Sequence, residues 1–314
     1  MSARCLVRGS TMKDFVRPGE TISSDNLVKQ PGGKGANQAV AIARAGAIVD
    51  LVAAVGQDGV WVRDELKKAG VGVEGVSIEN TGRAIVQVNE LGENSIILFK
   101  GANYATLPEL AIHPDTTHLV LQNEIPLTAS IEYLGRASSS KISTVFNPSP
   151  MPRVAELKAF PWHQLTWLIV NSGEALDLCK ALGLHVPQVD ASVSAVDAAT
   201  PLLARLSAYM RTTNVVCTLG SDGVLAQLTL TGESVPVYLP AAKLHGAARD
   251  TTGAGDCFTG YMVAGLMRLE GQKATAADYV SVLRRAVQAA GMCVEKPGAL
   301  TSIPLAADVD ARLD

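Results

Sequence analysis

A stretch near the C-terminus combines a possible anion-binding loop with a carboxylate that could move a proton. The stretch is Asp250-Thr251-Thr252-Gly253-Ala254-Gly255-Asp256, and apolar residues follow it at three- and four-residue steps, at Phe258, Met262, Leu266 and Leu269. This spacing predicts a helix that starts at the glycines. The first amides of a helix have no internal partner and carry partial positive charge, so they suit a phosphoryl group. Asp256 would lie beside that group, placed to take a proton from an attacking hydroxyl. On this stretch alone, Asp256 could equally serve only as a helix cap.

A second glycine-rich loop, residues 31–38, leads into an alanine-rich segment that ends at Gly46 and predicts another helix. Two familiar nucleotide motifs do not fit this loop. A dinucleotide fingerprint requires Gly or Ala where Gln38 stands, and a Walker loop requires Ser or Thr where Gly35 follows Lys34. The lysine and amide side chains of the loop instead suit hydroxyl groups. A helix entry with incidental polarity is the alternative that the loop leaves open.

The elements that must position these loops alternate between strands and helices. After an apolar run at residues 5–7, a strand over 48–55, a helix over 62–69 and a hairpin over 84–89 and 95–100, the pattern becomes regular. Strands are predicted at 118–122, 142–146, 166–170, 215–219 and 224–229, with helices at 128–138, 174–182 and 201–210 and two more after Gly255. This alternation predicts a parallel sheet covered on both faces. Ligands of such sheets bind beyond the carboxyl ends of the strands.

Polar residues stand where these predicted strands end. They are Glu124, Asn147, Asn171 with Glu174, and the segment 218–223. One such residue could be an ordinary turn former, and Asn171 with Glu174 could simply begin a helix. Several in succession favour a binding site at one edge of the sheet.

The composition indicates an α/β protein without a nucleic acid or membrane partner. The chain has 314 residues, 47% hydrophobic and 18% charged, with a net charge of −3, so no basic excess is present. The five cysteines and five histidines are scattered, without disulfide or metal-ligand spacing. No signal peptide or membrane-spanning run is evident, so a cytoplasmic location is expected, with the nucleus also possible in a eukaryote.

Both loops together resemble the ribokinase branch of the ribokinase-like (PfkB) carbohydrate kinases. Gly32-Gly33-Lys34-Gly35-Ala36-Asn37-Gln38-Ala39 and the 250–256 stretch match its two signatures, and Gly101-Ala102-Asn103, Asn147-Pro148 and 171–174 follow the family's order. The resemblance implies a three-layer α/β/α sandwich with a mostly parallel central sheet and a small β lid. It implies a single kinase domain over residues 1–314, with lid elements at about 12–31 and 82–103. The implied activity is ATP-dependent phosphorylation of D-ribose at the 5-hydroxyl.

The resemblance also assigns residues to roles. The sugar would be bound by Met12, Asp14, Gly33, Lys34, Asn37, Glu124 and Asp256, with Asp256 as base and Gly253, Ala254 and Gly255 as the anion site. ATP would be bound by Asn171, Thr218, Gly220, Ser221, Gly223 and Gly255, and its Mg²⁺ by Glu174 through phosphate or water. A potassium ion would lie among Asp250, Thr252, Val294, Gly298 and Ser302. With the usual Asp pKa near 3.9, Asp256 would be a weak base that mainly orients the hydroxyl.

One departure from the family pattern concerns the lid. Only Phe15, Val16 and Arg17 separate Asp14 from Pro18, where relatives place about ten residues. The first lid strand is therefore expected to be incomplete, which predicts weak ribose binding and a weakened homodimer. The alternatives to ribose phosphorylation are another sugar or nucleoside kinase of the family, and a weakly active nucleotide-binding protein. A hydride-transferring Rossmann enzyme is disfavoured because the fingerprint fails.

Overall fold

The computed structural model describes residues 4–12, 15–23, 26–74, 80–89, 94–105, 112–186, 190, 192–230 and 232–313. Within these ranges, the strands are β1 Arg4–Met12, β2 Asn26–Gly32, β3 Asp50–Val52, β4 Gly72–Glu74, β5 Arg83–Asn89, β6 Asn94–Phe99, β7 His118–Gln122, β8 Ser143–Asn147, β9 Trp167–Asn171, β10 Asn214–Thr218, β11 Val224–Leu230 and β12 Glu233–Leu239. The helices are α1 Lys34–Arg44, α2 Val60–Lys68, α3 Leu127–Ser139, α4 Val154–Ala159, α5 Ser172–Ala181, α6 Ala195–Met210, α7 Ala254–Arg268, α8 Ala276–Val294 and α9 Ala306–Asp310. None of the helices in the described ranges is both long and apolar enough to cross a membrane.

The central sheet has six strands in the order β12-β11-β10-β9-β8-β7. Strands β7 to β10 run parallel, while β11 and β12 are antiparallel to their neighbours. Successive side chains of a strand point to opposite faces, and β8 shows both packing environments. Val145 belongs to the buried cluster that contains residues of α1, α7 and α8, whereas Phe146 belongs to the one that contains residues of α5 and α6. The sheet is thus buried between two helical layers, as the sequence predicts.

Helix α6 and strand β12 are among the elements that differ from the prediction. Helix α6 begins at Ala195 instead of Pro201, because Ser194 caps it by accepting a hydrogen bond from the amide of Asp197 (3.1 Å). Strand β12 was not predicted. It is an edge strand that contains Pro236 and alternates between exposed and half-buried residues, so its sequence lacks the apolar run of a buried strand.

The lid sheet, which we define as β2, β1, β5 and β6 in that order, has four strands. The predicted hairpin is confirmed as β5 paired with β6 in antiparallel register. Strand β1 joins this sheet by pairing in parallel with β5 and antiparallel with β2, so the sheet extends to Arg4, beyond the lid elements expected at about 12–31 and 82–103. The described residues 15–23, which include Phe15, Val16 and Arg17, form no strand. The shortened segment after Asp14 therefore stays a prediction, together with the weak ribose binding and the weakened homodimer expected from it.

Helices α1 and α7 cross in direct backbone contact at Gly260. A Cβ atom built on Gly260 would lie 2.7 Å from the carbonyl oxygen of Gln38 and would also overlap the side chain of Ala41. No residue other than glycine fits this crossing without displacing a helix. Asp256 lies one turn before Gly260, and Asn37 and Gln38 lie one turn before Ala41. The crossing therefore brings the two glycine-rich loops together.

We expect Gly260→Ala to destabilise the fold by about 1–3 kcal/mol, the usual range for overpacking a core. Urea-induced unfolding measures this free energy. Gly135→Ala is the matched control, because Gly135 also lies within a helix and its Cβ would meet only a side-chain oxygen of Gln164, at 3.7 Å. The control should be neutral or stabilised by up to about 1 kcal/mol through helix propensity. Equal stability of the two variants would contradict a close crossing at Gly260.

Candidate active site

The carboxyl ends of the parallel strands bring the predicted polar residues to one edge of the sheet. Gln122, at the end of β7, is the register partner of Asn147, at the end of β8. Asn171, at the end of β9, pairs with Thr218, at the end of β10. Glu124 follows β7 by two residues and is buried. The polar residues predicted at the strand ends therefore lie side by side.

Asp256 lies in the first turn of α7 and is only 6% exposed. Its Oδ2 accepts a hydrogen bond from Nδ2 of Asn37, and its Oδ1 accepts one from Nε2 of Gln38, both at 2.9 Å. The cap position of α7 is Gly253, which has no side chain to contribute. Because both carboxylate oxygens bond to side chains of α1, the alternative of a simple helix cap does not account for Asp256.

Burial raises the pKa of Asp256 above that of an exposed aspartate, because the ionised form loses its hydration. The positive charge of Lys34 and the hydrogen bonds from Asn37 and Gln38 act in the opposite direction, and the negative charge of Glu124 raises the pKa further. The expectation of an aspartate with an unperturbed pKa is therefore wrong. Burial cannot be inferred from the 250–256 stretch alone. A raised pKa makes Asp256 a stronger base once it is ionised.

The start of α7 presents open main-chain donors. In the described part of the chain, the amides of Gly253, Gly255 and Asp256 have no hydrogen-bond partner. A Cβ atom on Gly255 would have no atom within 4 Å, so there is room for a ligand over this turn. The amide of Ala254, by contrast, donates to the carbonyl of Thr251 at 3.3 Å. The three free amides and the helix dipole form a potential anion site beside Asp256.

The start of α1 supplies the opposite wall. The amide of Lys34 donates to Oε2 of Glu124 at 2.8 Å, which joins this loop to the end of β7. Oδ1 of Asn37 is buried without a hydrogen-bond partner among the described residues, so a ligand hydroxyl could donate to it. Met12 ends β1 in the lid sheet, and Asp14 lies outside the described residues.

Sequence reasoning missed a layer of buried amides behind Asp256. Gln38 is fully buried, and its Oε1 accepts from Nε2 of Gln122 at 2.6 Å. Its Nε2 also approaches Oδ1 of Asn147 at 3.4 Å. Gln38 entered the sequence argument as the residue that breaks a dinucleotide fingerprint and as part of the glycine-rich loop, but not as a partner of Asp256. A polar residue on the inner face of an alanine-rich helix is the signal that could have revealed it.

The residues assigned to ATP lie on neighbouring strand ends. Asn171 and Glu174 form a capping box at the start of α5: the amide of Glu174 donates to Oδ1 of Asn171 at 2.8 Å, and Oε2 of Glu174 accepts from the amide of Asn171 at 3.0 Å. The helix-start alternative is thus correct for their local structure, although Glu174 uses only one oxygen in it. The loop after β10 turns through Gly220 and Gly223, both at positive φ, and Ser221 is exposed.

The residues assigned to a potassium ion place several oxygen atoms in and next to the 250–256 loop. Asp250 accepts from the amide of Thr252 through Oδ1 and from the amide of Gly298 through Oδ2, both at 2.9 Å. The carbonyl of Val294 accepts from the amide of Arg249 at 2.8 Å, and Oγ of Ser302 is buried. Carboxylate, carbonyl and hydroxyl oxygens are the donors that suit an alkali cation, so the residues fit this ion.

The chain matches known proteins along nearly its whole length. The family model described as pfkB family carbohydrate kinase matches residues 2–306. A ribokinase of Schizosaccharomyces pombe is 34% identical over an alignment of 313 positions, gaps included, and the alignment covers 94% of this chain and 91% of that protein. The crystal structure of ribokinase from Cryptococcus neoformans var. grubii serotype A in complex with ADP has a TM-score of 0.86 at 41% identity, and the match covers 99% of this chain and 97% of that one. The structure of Arabidopsis thaliana ribokinase complexed with ribose and ATP has a TM-score of 0.79 at 26% identity, covering 100% and 96%.

Proposed function

The chain belongs to the pfkB family of carbohydrate kinases, and from this premise we infer that it transfers the γ-phosphoryl group of ATP to the 5-hydroxyl of D-ribose. The observation that carries this function is the buried carboxylate of Asp256 beside the unpartnered amides of Gly253 and Gly255. Full-length relatives named ribokinase, including structures with ADP and with ribose and ATP, support the substrates. They do not favour a nucleoside kinase or a weakly active nucleotide-binding protein.

Asp256 acts on the sugar, and the amides act on the phosphate. Phosphoryl transfer passes through a loose transition state, so orientation and charge neutralisation matter most. Asp256 orients the 5-hydroxyl and accepts its proton, which the raised pKa favours. The amides of Gly253, Gly255 and Asp256 donate to the oxygens of the transferred group. Each such donor is worth on the order of 3 kcal/mol where it has been measured.

The sugar lies between the start of α1 and the ends of the strands. Asn37 offers its unpartnered Oδ1 to a sugar hydroxyl, while Lys34 and Glu124 provide a donor and an acceptor on the same wall. Gly33, at φ 100°, makes the turn by which the chain enters α1. Met12, at the end of β1, and Asp14, which lies outside the described residues, are the further sugar contacts of this proposal. The whole chain acts as one kinase domain, and its lid sheet covers the sugar.

ATP occupies the neighbouring ends of β9 and β10. The turn through Gly220, Ser221 and Gly223 holds the phosphates together with Thr218 and Asn171. ATP is used with a divalent cation, Mg²⁺, which neutralises phosphate charge in the transition state. Glu174 holds this ion through phosphate or water, since only its Oε2 is used in the capping box. Free thiols at Cys179, Cys217, Cys257 and Cys293 support a reducing compartment such as the cytoplasm.

Converting Asp256 to Asn tests the function directly. This variant keeps the size of the side chain but removes the acceptor for the proton. We expect sugar-dependent release of ADP, with ribose as substrate, to lose roughly 10²–10⁴-fold in kcat, while calorimetric ATP binding is retained. Asp64→Asn, at an exposed position on α2, is the matched control and should keep wild-type activity. A kcat within tenfold of wild type in Asp256→Asn would exclude the role of Asp256.

We propose that a potassium ion beside Asp250 raises kcat by fixing the 250–256 loop without contacting the substrates. The measurement compares kcat in potassium and in tetramethylammonium buffers. Asp250→Ala should abolish the potassium response. Ser302→Ala should raise the potassium concentration needed for activation, because it removes one ligand but leaves the hydrogen bonds of Asp250 in place. Equal kcat in both buffers for the wild type would contradict the proposal.

We also propose that two copies of the chain pair through the outer face of the lid sheet. Ile85 and Ile97 are register partners, 43% and 60% exposed, and Phe99 extends the same face at 50%. Leu27 of β2, 62% exposed, lies on this face as well. Sedimentation velocity at micromolar concentration should show a dimer, and Ile97→Arg should yield a monomer with its ATP binding intact. A wild-type monomer at tens of micromolar would refute the pairing.

A further inference from the structure

We propose that Gln38 is the positioning residue of the proposed catalytic carboxylate, and that its side-chain amide fixes Asp256 before the sugar arrives. Nε2 of Gln38 donates to Oδ1 of Asp256 at 2.9 Å, and Gln38 is fully buried. The inference rests on the proposed role of Asp256 as the base. It adds a residue that does not itself touch the substrates.

The orientation of the Gln38 amide is determined by its neighbours. The carbonyl of Ile169 can only accept a hydrogen bond, so the Nδ2 group of Asn147 must face it, at 2.9 Å. Oδ1 of Asn147 therefore faces Gln38 and receives Nε2 at 3.4 Å. On the other side, Nε2 of Gln122 donates to Oε1 of Gln38 at 2.6 Å. With its oxygen occupied by Gln122, Gln38 can present only its amino group to Asp256.

An amide suits this position because it donates without adding charge. The charges of Lys34 and Glu124 already act on the pKa of Asp256, and the charge of Asp256 in turn acts on the nearby thiols of Cys257 and Cys293. A cation at residue 38 would lower the pKa of Asp256 further and weaken the base, whereas a carboxylate would repel it. A buried amide holds the carboxylate by a hydrogen bond and adds no charge of its own. Each carboxylate oxygen has two lone pairs and accepts one hydrogen bond from the side chains of α1, so a lone pair remains for the sugar hydroxyl.

Gln38→Met tests this role, because methionine has a similar size but no donor. We expect kcat to fall roughly 10–100-fold while KM for ATP stays unchanged, because the base is misoriented but the nucleotide site is intact. The hydrogen bond from Gln38 lowers the pKa of Asp256, and the reaction needs the ionised form. Loss of the bond should therefore move the acid limb of the kcat/KM profile to higher pH. Gln38→Glu should move it further in the same direction, because it adds a like charge.

Two further variants separate positioning from folding. Gln122→Met removes the donor that orients Gln38 and should produce a smaller shift in the same direction. Gln227→Met, at an exposed hydrogen bond to Ser234, should change neither kcat nor the pH profile. Urea unfolding and ATP binding report on the fold of each variant. If Gln38→Met fails to fold, the pH profiles of Gln122→Met and Gln38→Glu test the role of Gln38. The acid limb should move to higher pH in both variants, and further in Gln38→Glu.

The outcomes distinguish this inference from the proposed function. An inactive Asp256→Asn together with wild-type kcat and an unshifted profile in the folded Gln38 and Gln122 variants would overturn the role of Gln38 alone. Loss of activity without a shift of the acid limb would also overturn it, because Gln38 would then act only through folding. An active Asp256→Asn would instead refute the base on which both proposals depend.

Discussion

The crossing of α1 and α7 at Gly260 is the constraint on which the rest of the site depends. The two helices come from loops separated by more than two hundred residues, and neither loop is a site by itself. Because Gly260 has no side chain, the backbone of α7 rests against the carbonyl of Gln38. This contact fixes the position of Asp256 relative to α1, so that its carboxylate lies within hydrogen-bonding distance of the Asn37 and Gln38 side chains. A shift of about 1 Å at such a crossing would separate the carboxylate from both donors.

Burial of Asp256 creates opposing effects that the site balances. Removal of an ionised carboxylate from water costs several kcal/mol even after the protein relaxes. Hydrogen bonds to a charged group each contribute about 1.5–3 kcal/mol, so the donors from Asn37 and Gln38 offset much of this penalty. Lys34 adds a favourable charge. What remains is a buried carboxylate that binds a proton more strongly than an exposed aspartate.

The sequence predicted the features that depend on neighbouring residues, and it missed those that depend on contacts between segments far apart in the chain. Strands β7 to β11 follow from apolar runs, and the 250–256 loop follows from glycines before a periodic helix. The pairing of β1 with β5 joins residues far apart in sequence, so no local pattern reveals that the lid includes Arg4–Met12. The bond between Gln38 and Gln122 likewise depends on how α1 packs over β7. The pKa of Asp256 depends on burial, which is a property of the folded chain.

The three segments of the site form a closed ring of contacts. Helix α1 meets α7 at Gly260, and the loop before α7 meets the segment 298–303 where a Cβ on Gly253 would lie 2.9 Å from Ala299. That segment returns to α1 through Arg44, whose guanidinium donates to the carbonyls of Leu300, at 3.2 Å, and Ile303. Because the ring is closed, a change at one junction strains the other two. Through these contacts, the proposed potassium ion beside Asp250 would act on the alignment of Asp256 with Asn37 and Gln38 without touching either substrate.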